Sequence, residues 1–224
     1  MKKHVSVAID GPSGAGKSTI ARVLAQELGY IYVDTGAIYR TVGYYMNLMG
    51  IGPRDVDGVT RLLDEVNIEL RYEDGVQHMI LNGSDVTGEI RTPEMSLYAS
   101  AVSAMPVVRD FLMETQRKLA RENDVIMDGR DIGTVVLPNA DVKIFLTASA
   151  EERARRRYKE LLEKGEKVTY EKVLADMRQR DRQDTERACA PLRCAEDAVR
   201  VDTSNNTFAE SITLLRSIIE ERRK

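Results

Sequence analysis

Apolar positions along this chain follow two rhythms. Five short runs rich in β-branched residues have the length and composition of buried strands: VSVAI at 5–9, YIYVD at 30–34, VIMDG at 125–129, VKIFLTA at 142–148 and AVRVDT at 198–203. Most are separated by stretches of helical period, and that alternation predicts an α/β chain with a parallel sheet covered by helices. The first helix places Ile20, Val23, Leu24 and Leu28 on one face and closes at Gly29, a residue suited to a left-handed C-terminal cap. A second helix opens with the capping-box pair Ser149 and Glu152 and ends at Gly165, and the last opens with Thr207 and Glu210 and buries Ile212, Leu215 and Ile219.

One segment breaks the rhythm. NIELRYEDGVQHMILNGSDVT, from Asn67 to Thr87, holds three strand-like pieces separated by Asp74-Gly75 and Asn82-Gly83, dipeptides that supply the positive φ of tight hairpins. It reads as a small antiparallel meander inserted into the parallel fold.

The first strand runs directly into GPSGAGKS, a full match to GxxxxGK[ST] at Gly11, Gly16, Lys17 and Ser18, and an amphipathic helix follows. Strand, loop and helix together make this a phosphate cradle: converging backbone N–H groups and the helix N-terminus face phosphate oxygens, Lys17 bridges the β- and γ-phosphates, and Ser18 ligates Mg²⁺. Asp128, closing the strand VIMD, is either the second acid that holds Mg²⁺ through water or a strand-terminating turn residue.

The charge balance narrows the class. A formal charge of -3 with 31% charged residues gives no basic footprint for nucleic acid, and the apolar runs are strand-length, so a soluble cytoplasmic protein with no nucleic-acid or membrane partner is expected. The start, MKKHVSVAID, has too short an apolar run for a signal peptide. With no NKxD string for reading guanine, a switch GTPase is disfavoured, and 224 residues leave little room for a nucleic-acid motor. Cys189 and Cys194 lack the partners of a zinc site and read as idle thiols.

A small-molecule kinase remains, and it must neutralise a second anion opposite the donor. Arginine does this with a planar fork matched to phosphate. DTGAIYR puts Tyr39 and Arg40 just after the second strand, and DGRDIG puts Arg130 and Asp131 at the end of another. In MRQRDRQDTER a helix would place Arg180, Asp184 and Arg187 at i, i+4 and i+7, either as a site face or as a self-neutralising solvent face. Arg153, Arg155, Arg156 and Arg157 crowd a helix N-terminus against its dipole, so nearby acids or a bound polyanion must offset them; a lid over triphosphate is the functional reading.

GPSGAGKST, DTGAIYR, DGRDIGTVV, KIFLTAS with EERARRR, and RDRQD followed by APL resemble, in order and over nearly the whole chain, the successive motifs of bacterial cytidylate kinases within the nucleoside monophosphate kinases. The resemblance implies a three-layer P-loop kinase fold with a five-stranded parallel sheet, an acceptor region at 36–100 containing an antiparallel insertion at about 66–87, core segments at 1–35, 101–152 and 167–224, and a helical lid at 153–166. It places Gly11, Pro12, Ser13, Gly14, Ala15, Gly16, Lys17, Ser18 and Thr19 with Arg156 and Arg157 around ATP, and Ser18 and Asp128 on Mg²⁺. Thr35, Tyr39, Arg40 and Arg130 would surround the CMP phosphate, with Thr35 standing where many relatives have Ser. Ser100, Arg109 and Asp131 would read the base, Arg180 and Asp184 the ribose, and Arg187 the phosphates; Lys17, Arg130 and Arg187 would be catalytic. The implied reaction moves the γ-phosphoryl of ATP to CMP or dCMP, in a monomer.

Overall fold

A computed structural model describes residues 4–163 and 165–223. Lys2 and Lys3 of the leader reading, Lys164 of the expected lid and the terminal Lys224 lie outside the described residues.

All five expected runs form strands of one parallel sheet: β1 (Ser6–Asp10), β2 (Ile31–Asp34), β6 (Val125–Gly129), β7 (Val142–Thr147) and β8 (Val199–Asp202), ordered β2-β6-β1-β7-β8. Period-two alternation sends β1 side chains to opposite faces. Val7 and Ile9 pack with Ile126, Ile144 and the helices α1 (Lys17–Leu28) and α8 (Phe208–Arg222), while Ala8 joins Val33, Met127 and Ile38 on the other face. The second face is covered by α2 (Thr35–Leu48), α5 (Pro106–Glu122) and a π-helical turn, Ile132–Val136. Three layers result, and each fully buried Ile, Leu or Met contributes roughly 2–3 kcal/mol of apolar burial.

In α1 the buried stripe is Ile20, Ala21, Leu24 and Ala25, so Val23 and Leu28 sit on its flank rather than at its centre. Small residues let the helix approach the sheet closely, which rotates the face by part of a turn. Gly29 caps α1 at φ 70, as expected. Both halves of the Thr207–Glu210 box are made; Thr207→Ala is expected to lower stability by about 1 kcal/mol in thermal melts. The Ser149–Glu152 box is only half made. Ser149 Oγ accepts from Glu152 N–H at 3.2 Å, but Ser149 N–H donates to Ser204 Oγ and the Glu152 carboxylate takes Arg155 and Arg156 instead.

The meander is a separate three-stranded antiparallel sheet of β3 (Ile68–Glu73), β4 (Val76–Leu81) and β5 (Ser84–Asp85), with Asp74, Gly75, Asn82 and Gly83 all at positive φ. Along the chain α3 (Val56–Leu62) precedes the meander and α4 (Pro93–Val102) follows it. The helices α6 (Ala150–Glu163) and α7 (Tyr170–Glu186) pack on each other through Ala154, Val173 and Met177. Among the described residues no helix is long and apolar enough to cross a membrane.

Candidate active site

Register brings the chemistry to one edge. In the parallel ladder Asp10 lies beside Gly129 and Asp34 beside Asp128, so the loops leaving β1, β2 and β6 open at the same end of the sheet.

The cradle follows β1. Gly11 has φ 150 and its backbone lies against the Leu146 carbonyl, leaving no room for a side chain; Gly14 and Gly16 have φ 74 and 87. Lys17 is buried, and its Nζ donates to the Pro12 carbonyl at 2.8 Å. Burial first, and then the neighbouring Arg130 charge, push its pKa down to about 7. Ser18 Oγ donates to Asp128 Oδ2 at 2.9 Å and Tyr32 Oη donates to Oδ1 at 2.7 Å. Burial, reinforced by Asp34, raises the Asp128 pKa.

Two clefts flank this loop. Gly14 to Thr19 line one together with Arg156, Arg157, Thr203, Asn206 and Phe208. Thr35, Tyr39, Arg40, Ser100, Arg109, Arg130, Asp131, Arg180, Asp184 and Arg187 all line the other. Gly14, Lys17 and Ser18 belong to both, so the clefts meet at the lysine. Gly11 and Pro12 line neither and shape the loop from behind; Ser13 faces the second cleft.

The second cleft is strongly cationic although the chain is acidic. Lys17, Arg40, Arg109, Arg130, Arg180 and Arg187 face only four carboxylates, those of Asp34, Asp128, Asp131 and Asp184. Arg40 donates one bond to Asp34 at 2.9 Å, but among the described residues its buried Nε has no partner, and the buried Nε of Arg180 has none either. Burial lowers the Arg180 pKa to about 10, with Arg130 adding repulsion. Buried donors without partners are costly and fit an anion that supplies acceptor oxygens.

At the far end Asp131 and Ser103 bridge two arginines. Asp131 accepts a close contact from Arg109 Nη2 and a bond from Arg187 Nη2 at 3.3 Å; Arg109 Nη1 donates to the Ser103 carbonyl at 3.2 Å, and Arg187 Nη1 to Ser103 Oγ at 3.0 Å. The Arg109 guanidinium lies 5.7 Å from the Tyr39 ring centroid, which places Tyr39 beside this group. Arg187, assigned by the resemblance to phosphates, is held here on Asp131 and Ser103. It stands at the C-cap of α7 with φ -59 and ψ 138, so only Arg180 and Asp184 lie within the helix. The chain turns back there, with Arg187 Nε donating to the Ala190 carbonyl and Leu192 N–H to the Asp184 carbonyl. Asp184 pairs with Arg130 Nε at 2.7 Å, across to the β6 loop. Thr35 Oγ1 donates to the Asp128 carbonyl at 2.7 Å, so toward a ligand it offers lone pairs.

The arginine run on α6 is neutralised within the protein. Arg155 and Arg156 meet Glu152, Arg157 meets Glu160, and buried Arg153 forms a bidentate pair with Asp181 of α7 while donating to the Ser13 carbonyl of the cradle. Acids account for the helix-dipole conflict, and Arg156 and Arg157 still line the first cleft.

Several site residues escaped the sequence reading. Asp10, buried, accepts the N–H groups of Ile132 and Gly133 at 2.8 and 2.7 Å and so holds the loop bearing Arg130 and Asp131; burial raises its pKa to about 7. Ser103 holds Arg187 from 84 residues away, and Arg153, legible only as one of a run of arginines, meets Asp181 28 residues on. For Asp10 the visible signal was a carboxylate ending an otherwise apolar strand.

A P-loop nucleotide kinase is the class of enzyme that this wound sheet and these joined clefts define. The family model described as cytidylate kinase matches residues 7–221, and the chain belongs to that family. It is 49% identical to a cytidylate kinase of Caldicellulosiruptor saccharolyticus over 97% of this chain and 95% of that one. With a cytidylate kinase of Carboxydothermus hydrogenoformans it shares 51% identity over 95% and 96% of the two chains. Among solved structures, a shikimate kinase from Bacteroides thetaiotaomicron aligns at a TM-score of 0.46 and 13% identity, over 96% of this chain and 98% of that one.

Proposed function

We propose that the enzyme transfers the γ-phosphoryl group of ATP to CMP or dCMP, giving ADP and CDP or dCDP, by direct in-line displacement. An acceptor phosphate oxygen forms a bond to the γ-phosphorus as the bond from that phosphorus to the β,γ-bridging oxygen breaks, and ADP leaves. The observation that carries this reading is the single cationic cleft that gathers every acceptor candidate and shares Gly14, Lys17 and Ser18 with the cradle. Two anions bound in the two clefts would meet at Lys17.

The acceptor phosphate is largely ionised near neutral pH, so positioning and charge neutralisation do the catalytic work and no protein nucleophile is required. Arg40, Arg130 and Arg180 supply donors to the acceptor, with Asp184 orienting Arg130 and lying near the ribose. Asp131 accepts from the cytosine amine while Arg109 donates to the ring acceptors; uracil would set its O4 against that carboxylate, costing about 1–3 kcal/mol. Ser18 and Asp128 are hard oxygen donors already in contact, and they suit Mg²⁺, which keeps water and phosphate oxygens in its shell. When bound, that ion would neutralise charge on the β- and γ-phosphates. Arg156 and Arg157 of the segment 153–166 would close over the triphosphate as a lid. The enzyme acts as a cytoplasmic monomer.

Steady-state assays with CMP, dCMP, UMP and AMP should give the highest kcat/KM for the two cytidylates; UMP or a metabolite alcohol outrunning them, or no ADP formation with any acceptor, would overturn the proposal. Binding should also depend on pH. Lys17 is lowered from 10.5 to about 7 in the free protein, and triphosphate raises it again, so ATP binding takes up a proton above pH 7. Affinity should weaken by roughly tenfold between pH 7 and 8.5. Calorimetry at pH 8 in buffers of different ionisation enthalpy reads the uptake, and zero uptake would refute this role for the shifted lysine.

A further inference from the structure

Strand β4 sends Gln77, Met79 and Leu81 inward. Met79 packs in the apolar core beside Val33 and Ile38. Gln77 is buried too, at 6% exposure, where an apolar side chain would suit the packing and an unpaired amide would be costly. Its carboxamide faces the outer edge of β2, the strand at one end of the parallel sheet. Gln77 Oε1 accepts from the Asp34 backbone N–H at 2.8 Å, and Nε2 lies 3.5 Å from the Asp34 carbonyl and 3.0 Å from Met79 Sδ. One acceptor and one donor thus face both backbone groups of a single residue, as a neighbouring strand would.

Asp34 is the residue on which the start of α2 turns. Its Oδ1 caps the helix by accepting Ala37 N–H at 2.8 Å, and its Oδ2 holds Arg40 Nη2 at 2.9 Å. Gly36 lies between them, with room for a side chain limited by Arg40 Nη1 and Asp34 Oδ1, each 3.1 Å from where a Cβ would stand. The direction of the Arg40 guanidinium, including its idle Nε, is therefore set by where the Asp34 backbone sits.

We propose that Gln77 is a positioning residue for Arg40, through which the antiparallel insertion sets the grip on the acceptor phosphate without touching the nucleotide. The inference rests on the reading above that Arg40 holds that phosphate. Loss of the carboxamide frees the β2 edge, lets Asp34 shift and misplaces the guanidinium by a fraction of an ångström, enough to matter for a charge-assisted bond.

The test is a double-mutant cycle of Gln77→Met and Arg40→Ala, assayed below the melting temperature of each variant. Gln77→Met keeps the side-chain length and removes both amide groups. It should raise KM for CMP about tenfold while kcat stays within threefold and KM for ATP within twofold. In the Arg40→Ala background the same change should add less than twofold. An unchanged KM for CMP, or an undiminished tenfold effect without Arg40, overturns the inference. Arg40→Ala alone separates the two levels: no effect of that change on KM for CMP refutes the phosphate assignment itself, whereas a large effect with an inert Gln77→Met refutes only the positioning role. Gln77→Asn, which keeps the amide but falls a methylene short, should reproduce the signature and takes the place of the Met variant if that does not fold.

Discussion

Lys17→Met is expected to lower kcat with CMP by 10³-fold or more, about 4 kcal/mol of transition-state stabilisation, without a loss of thermal stability. Among the described residues Lys17 is the one cation that lines both clefts, where it stands beside Gly14 and Ser18 at their junction. Its stability contribution runs the other way. The ammonium is buried, donates to the Pro12 carbonyl and is repelled by Arg130; attraction to Asp128, Asp10 and Asp184 offsets only part of the cost of burial. Because its pKa falls from 10.5 to about 7 on folding, the unfolded chain binds more protons between those values, and stability rises with pH across that window. Methionine removes both the slope and the buried charge. Melting curves at pH 6 and pH 9 should therefore differ less for the variant than for the parent, and at pH 6 the variant should melt at an equal or higher temperature. Inactivity accompanied by a lower melting temperature at pH 6 would instead assign the loss to folding.

Asp131→Asn should cut kcat/KM for CMP by about 10²-fold, about 3 kcal/mol, while changing UMP far less, so that base preference collapses. Asn cannot offer two acceptor oxygens to Arg109, Arg187 and an incoming amine together. Burial raises the Asp131 pKa, and the charges of Arg109 and Arg187 oppose that rise, so the ionised carboxylate depends on both arginines. Asp131→Ala carries a second penalty: Arg109, itself 3% exposed, and Arg187 are left without their shared counterion. Breaking a buried pair in this way costs about 3–5 kcal/mol. The Asn variant should consequently melt well above the Ala variant. A wild-type ratio of CMP to UMP rates in Asp131→Asn would remove this carboxylate from base reading.

From Ser6 to Leu28 the backbone path was legible, because strand, loop and helix are contiguous and each glycine's φ answers to its immediate neighbours. Asp74-Gly75 and Asn82-Gly83 announced the meander for the same reason. The arginine runs were legible as candidates but not as assignments. Arg153, Arg155, Arg156 and Arg157 look alike in sequence, yet Arg153 is a buried strut to Asp181 and the cradle, Arg155 meets Glu152 without lining the cleft, and Arg156 and Arg157 line the cleft beside Arg153. Helical spacing placed Arg180 and Asp184 together but carried Arg187 too far, since the helix ends one residue before it.

The sequence by itself determined the alternation of strands and helices, the phosphate cradle and the inserted meander, since hydrophobic period, turn chemistry and a contiguous motif act over a few residues. Only the tertiary structure decided which charges meet. Asp184 pairs with Arg130, Asp131 with Arg109 and Arg187, Asp10 with the turn after β6, and Gln77 with Asp34. Those pairings join residues tens to more than a hundred positions apart, and they are set by strand order and register in a parallel sheet, which no local pattern in the chain encodes.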